Sequence, residues 1–63
     1  MPFIQVTMLE GRTVEQKHAL MKGITDSVVE ALGNNPESIR VAIYEVSKEE
    51  WSVGGVPMST LRP

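Results

Sequence analysis

The chain has 63 residues, 41% of them hydrophobic, with three aromatics (Phe3, Tyr44 and Trp51), a single histidine (His18) and no cysteine. One domain over residues 1–63 is all this length allows, its core is marginal, and neither disulfides nor a His- or Cys-based metal site is available to reinforce it, which leaves oligomerisation. A net charge of −2 lacks the basic excess of a nucleic-acid binder, no apolar run approaches the roughly 20 residues of a membrane span, and no signal peptide is evident, so a cytoplasmic oligomer is expected.

Residues 3–9 alternate, with Ile4, Val6 and Met8 on one face and Phe3, Gln5, Thr7 and Leu9 on the other. This predicts a strand, β1. Glu10-Gly11-Arg12 leaves the strand, and Thr13 with Gln16 three residues on fits a capping box. A helix, α1, is predicted from Val14 to Leu32, with Leu20, Ile24, Val28 and Ala31 as its apolar stripe, widened by Met21 and Leu32. Gly33 suits the residue just past its end, and Pro36 prevents resumption. Gly23 weakens the helix interior by about 1 kcal/mol relative to Ala and is read as marking a close approach by a neighbour. His18 reads as an exposed helix residue.

Residues 39–46 are rich in β-branched side chains and predict a second strand, β2, parallel to β1. Ser47-Lys48-Glu49-Glu50 fits a single helical turn ending near Trp51. Gly54-Gly55 predicts a small hairpin between Trp51-Ser52-Val53 and Val56-Pro57-Met58. The expected fold is α/β (α+β): a β-α-β unit with a short C-terminal hairpin. Such a unit leaves two sheet edges and one sheet face bare, which again demands partner copies.

Pro2 is the informative residue for chemistry. Removal of Met1 would leave a secondary amine at the N-terminus. An α-amino group titrates near 8, and both desolvation and nearby cations favour its neutral form, a usable general base. Arg40 opens β2, beside the start of β1, and so lies near Pro2. Arg12 stands beyond the far end of β1, about 25–30 Å from Pro2 along mostly extended chain. Only a partner's Arg12, brought by an antiparallel β1–β1 pairing, can reach Pro2. By the same reasoning Trp51 approaches the partner's Pro2. Each residue alone also has a plainer role: strand start for Pro2, helix entry for Arg12, an ion pair for Arg40, interface packing for Trp51.

Together, Pro2, the run Leu9-Glu10-Gly11-Arg12-Thr13, Glu15-Gln16-Lys17, Arg40-Val41 and Gly54-Gly55 resemble the 4-oxalocrotonate tautomerase family over essentially the whole chain. The resemblance implies a homohexamer (a trimer of dimers) with no cofactor and no metal. It implies that Pro2 is the general base moving a proton in an unsaturated 2-hydroxy or 2-oxo acid such as 2-hydroxymuconate. Arg40 would bind and polarise the 2-oxo group and its carboxylate, and Arg12 would bind a distal carboxylate. Leu9 would line the apolar pocket, and Trp51 stands where the family usually has Phe. A role in aromatic hydrocarbon catabolism is the family expectation. Two alternatives stand beside this reading. One is a related hydratase or dehalogenase, with Glu10 as the candidate acid. The other is a non-catalytic oligomeric scaffold, which retention of Met1 would favour.

Overall fold

The computed structural model describes residues 1–63. Strand β1 (Phe3–Leu9) leads through Glu10–Thr13 into helix α1 (Val14–Leu32). A 3-10 turn (Pro36–Ser38) precedes strand β2 (Arg40–Val46), and a second 3-10 turn (Lys48–Glu50) follows it. The chain closes with strands β3 (Ser52–Val53) and β4 (Val56–Pro57) and a one-turn helix, α2 (Met58–Leu61).

The caps of α1 are those its sequence encodes. The Thr13 hydroxyl accepts the Gln16 N–H at 3.1 Å, and the Gln16 side chain accepts the Thr13 N–H at 3.0 Å. Two of the helix's otherwise unpaired donors are thereby satisfied. At the other end Gly33 takes φ 71° and donates its N–H to the Val29 carbonyl. Only glycine adopts that left-handed conformation without a steric penalty. Gly54 and Gly55, at φ 61° and 84°, turn the hairpin in the same region of conformational space. Positive φ at both central residues matches the turn twist to the strands.

β1 and β2 pair in parallel, Phe3 opposite Arg40 and Leu9 opposite Val46. Strand β2 begins one residue later than expected. The Ile39 N–H bonds to the Pro36 carbonyl at 3.1 Å and closes the preceding turn, so it is not available to the ladder.

The helix covers one face of this two-stranded sheet. Ile4, Val6, Val41 and Ile43 meet it from the strands, and Ile39, 8% exposed, is the one fully buried residue. The helix is rotated from the face its apolar pattern suggested. Its half-buried residues are Lys17, Met21, Ile24, Thr25, Val28 and Val29, while Leu20, Ala31 and Leu32 face solvent. Two strands form a floor too narrow for the whole apolar stripe, and an ion pair between Lys17 and Glu45 at 2.8 Å ties the helix to β2 along its edge. The expected close approach at Gly23 is absent within the chain, where nothing lies within 4 Å of a Cβ built there.

The opposite face of the sheet is bare, and Phe3 and Tyr44 are 60% and 50% exposed on it. The hairpin carries Val53 and Val56 in the open as well. The chain extends over 43 × 24 × 14 Å with a radius of gyration of 14.8 Å. A compact chain of this length would have about 11 Å. Its accessible surface is 4731 Å², against about 4,000 Å² for a compact monomer of this mass. No helix is long and apolar enough to cross a membrane.

Candidate active site

The residues singled out in the sequence gather at the two ends of the parallel strand pair. Pro2 and Arg40 occupy the end where both strands begin. Pro2 precedes β1 and is half-buried. Its carbonyl accepts the Arg40 main-chain N–H at 3.1 Å, which extends the ladder by one bond and holds the two residues side by side.

The Arg40 side chain is also anchored. Its Nη1 donates to the Glu37 carbonyl at 2.6 Å, with a longer contact of 3.5 Å to the Ile39 carbonyl. The Glu37 carbonyl belongs to the 3-10 turn ahead of β2. Asn35 caps that turn, its Oδ1 accepting the Glu37 N–H at 3.0 Å. The Asn35 carbonyl accepts both the Ser38 N–H at 2.9 Å and the Ser38 hydroxyl at 2.8 Å. This turn lies outside the expected elements, among which Pro36 figures only as a helix stop. The signal was present in the Asn35-Pro36 pair, since Asn before Pro favours turn initiation.

Leu9, Arg12 and Trp51 belong to the other end, which the seven residues of β1 place about 20 Å away. Leu9 is the last residue of β1, half-buried and opposite Val46. Glu10 extends the pairing by donating its N–H to the Val46 carbonyl at 3.0 Å. Arg12 follows, exposed, with no ion pair or side-chain hydrogen bond in the chain. It lines two open grooves that share Met8. One, of about 240 Å³, runs along the helix by Gln16, Lys17 and Leu20. The other, of about 320 Å³, runs past Leu9 and Glu10. Of the cations near the first groove, Lys17 is committed to Glu45, so Arg12 is the one available to an anion.

Trp51 follows the second 3-10 turn and is half-buried. Its carbonyl accepts the Met58 N–H at 2.7 Å, tying the turn to α2. Lys48 Nζ donates to the Arg62 carbonyl at 2.8 Å and fastens the same segment from its far side. Met58, expected in the second hairpin strand, instead opens helix α2, with Pro57 as the residue that caps it. No group of three His, Cys, Asp or Glu side chains is placed to hold a metal ion.

The single chain thus unites Pro2 with Arg40 but leaves Arg12 and Trp51 a strand's length away. Comparison with known proteins agrees with this fold. The family described as "Tautomerase enzyme" matches residues 2–61. A 2-hydroxymuconate tautomerase of Comamonas testosteroni is 46% identical over 61 residues, covering 97% of each chain. A solved 4-oxalocrotonate tautomerase isozyme from Methylibium petroleiphilum superposes with a TM-score of 0.93 at 44% identity, covering 98% of this chain and 100% of that one. A heterohexameric 4-oxalocrotonate tautomerase from Chloroflexus aurantiacus J-10-fl superposes with a TM-score of 0.92 at 37% identity, with the same coverage. The fold and these full-length matches define an isomerase. The chain belongs to the tautomerase family, and its activity is that of a tautomerase.

Proposed function

We propose that the chain interconverts the enol and keto forms of an unsaturated 2-hydroxy/2-oxo dicarboxylate, with 2-hydroxymuconate as the model substrate, and that Pro2 is the base. After removal of Met1 the Pro2 nitrogen is a secondary amine. It takes the proton of the enol hydroxyl, the O–H electron pair becomes the carbonyl π bond, and the proton returns to carbon at the far end of the conjugated system. Substrate and product contain the same atoms, so the step balances without a cofactor. Arg40, from a neighbouring subunit, pairs with the 2-oxygen and its adjacent carboxylate. Its contact strengthens as charge builds on that oxygen, which is what lowers the barrier. Arg12 of a further subunit receives the distal carboxylate in a bidentate pair. Leu9 and Trp51 form an apolar wall that desolvates the amine and favours its neutral form.

The observation that carries this reading is that neither Arg12 nor Arg40 is paired with a carboxylate of its own chain, so two guanidinium groups are left for a dicarboxylate. The bare face and strand edges supply the surface through which other copies bring Arg40, Arg12 and Trp51 to Pro2. A hexamer built as a trimer of dimers follows, and a cytoplasmic role in breaking down aromatic compounds suits such a substrate. The heterohexameric Chloroflexus relative supports assembly of this kind.

Intact mass, read with a dienol-decay assay on the same sample, tests the reading. The expected result is a chain lacking Met1 that turns over 2-hydroxymuconate. Equal turnover by a species that retains Met1 overturns it, because the Pro2 nitrogen is then an amide and has no basic lone pair.

A further inference from the structure

Arg40 makes two different uses of its nitrogens. The main-chain N–H holds Pro2, while Nη1 is turned back onto the Glu37 carbonyl at 2.6 Å. A guanidinium presents five N–H groups in a rigid planar fork. With Nη1 committed to a carbonyl, the edge formed by Nε and Nη2 is the one left to meet a carboxylate through two parallel bonds. The direction of the Glu37 carbonyl therefore decides which edge of Arg40 faces a ligand and in what plane.

That direction is set by a short chain of bonds with Asn35 at its origin. The Asn35 side chain accepts the Glu37 N–H, and its carbonyl holds Ser38 through both N–H and hydroxyl. The Pro36 carbonyl is closed by the Ile39 N–H. The Asn35 and Pro36 carbonyls are thus bonded within the turn, and the next one along, that of Glu37, is the one given to Arg40. Asn35 itself is exposed and fills no part of the core, so its side chain acts here through hydrogen bonding and not through packing.

We propose that Asn35 is a positioning residue for catalysis: it fixes the Pro36–Ser38 turn so that the Glu37 carbonyl presents the Nε/Nη2 edge of Arg40 to the substrate. This rests on the reading that Arg40 binds substrate. A misdirected guanidinium meets the developing oxyanion poorly, so the loss falls on kcat more than on KM.

The test is a double-mutant cycle on the full chain, assayed with 2-hydroxymuconate. Asn35→Ala is expected to lower kcat about tenfold, in line with the cost of a small misplacement near the reacting atoms. Asn35→Ser keeps an oxygen able to accept the Glu37 N–H and restores most of the loss. Asn35→Gly, a mild change for stability at a cap, reproduces it. On an Arg40→Ala background Asn35→Ala adds less than about twofold, because the group it positions is gone. An equal loss on both backgrounds, or no recovery with Ser, overturns the positioning role. Full activity of Asn35→Ala and Asn35→Gly beside a damaged Arg40→Ala overturns the inference and leaves the Arg40 reading standing. Full activity of Arg40→Ala overturns both.

Discussion

At the end of the sheet where its strands begin, the candidate arginine is held from inside the chain. Arg40 bonds to Pro2 through its backbone and to Glu37 through its side chain, and Asn35 and Ser38 close the turn between them. At the opposite end Arg12 has no partner, and the grooves beside it stand open. The first end fixes its arginine with its own backbone; the second leaves its arginine, beside apolar walls, to something outside the chain. A bidentate arginine held in place loses little freedom on binding, whereas a mobile one must be ordered by its ligand or by a neighbouring subunit. The closed end suits the reacting atoms, where misplacement is costly, and the open end suits recognition of the far part of a substrate.

Three substitutions probe that contrast. The largest effect is expected at the closed end. Pro2→Ala removes the secondary amine and should lower kcat/KM for 2-hydroxymuconate by about 10²–10⁴-fold, the usual worth of a positioned base, with the sedimentation coefficient unchanged. Turnover near that of the unaltered chain would refute Pro2 as the base. Next comes the open end. Arg12→Ala should raise KM for a dicarboxylate about tenfold, the order expected for loss of a charge-assisted pair, and leave a monocarboxylate nearly unaffected; equal losses on both would remove its selective role. Co-refolding Pro2→Ala chains with Arg12→Ala chains then sharpens the comparison. Mixed assemblies should regain activity, because some sites receive an intact proline from one chain and an intact arginine from another. The smallest effect lies at the entry to α1, just behind Arg12. Thr13→Ala breaks the capping box and should cost about 1 kcal/mol of stability in a denaturant titration; an unchanged midpoint would show that the box carries no weight there.

Much of the fold could be read from local chemistry. Thr13 with Gln16, Gly33, and the Gly54-Gly55 turn each encode their conformation within a few residues, and each is found as expected. The alternation in β1 likewise sorted its residues between two faces, and the one with Ile4, Val6 and Met8 is the covered one. The rotation of α1 could not be read in this way. An apolar pattern marks a preferred face, but the width of the sheet and the Lys17–Glu45 pair, separated by 28 positions, decide which part of it is covered. The hold on Arg40 was hidden for a different reason. Its acceptor is a main-chain carbonyl, which every residue type carries, so the identity of Glu37 says nothing about it. Only the geometry of the turn reveals the bond. The division of the candidate site residues between two ends of the sheet followed from parallel pairing alone, and the register, Phe3 opposite Arg40 and Leu9 opposite Val46, agrees with it.

The scarcity of buried residues has a consequence for how such a chain must be handled. With Ile39 alone fully enclosed, most of the apolar burial that would stabilise the proposed assembly lies between copies. Mass action then links folding to concentration: the melting temperature should rise as the protein is concentrated. Dilution, with no change in temperature or solvent, would dismantle both the structure and the shared pocket. Specific activity would then be a property of the solution as much as of the molecule.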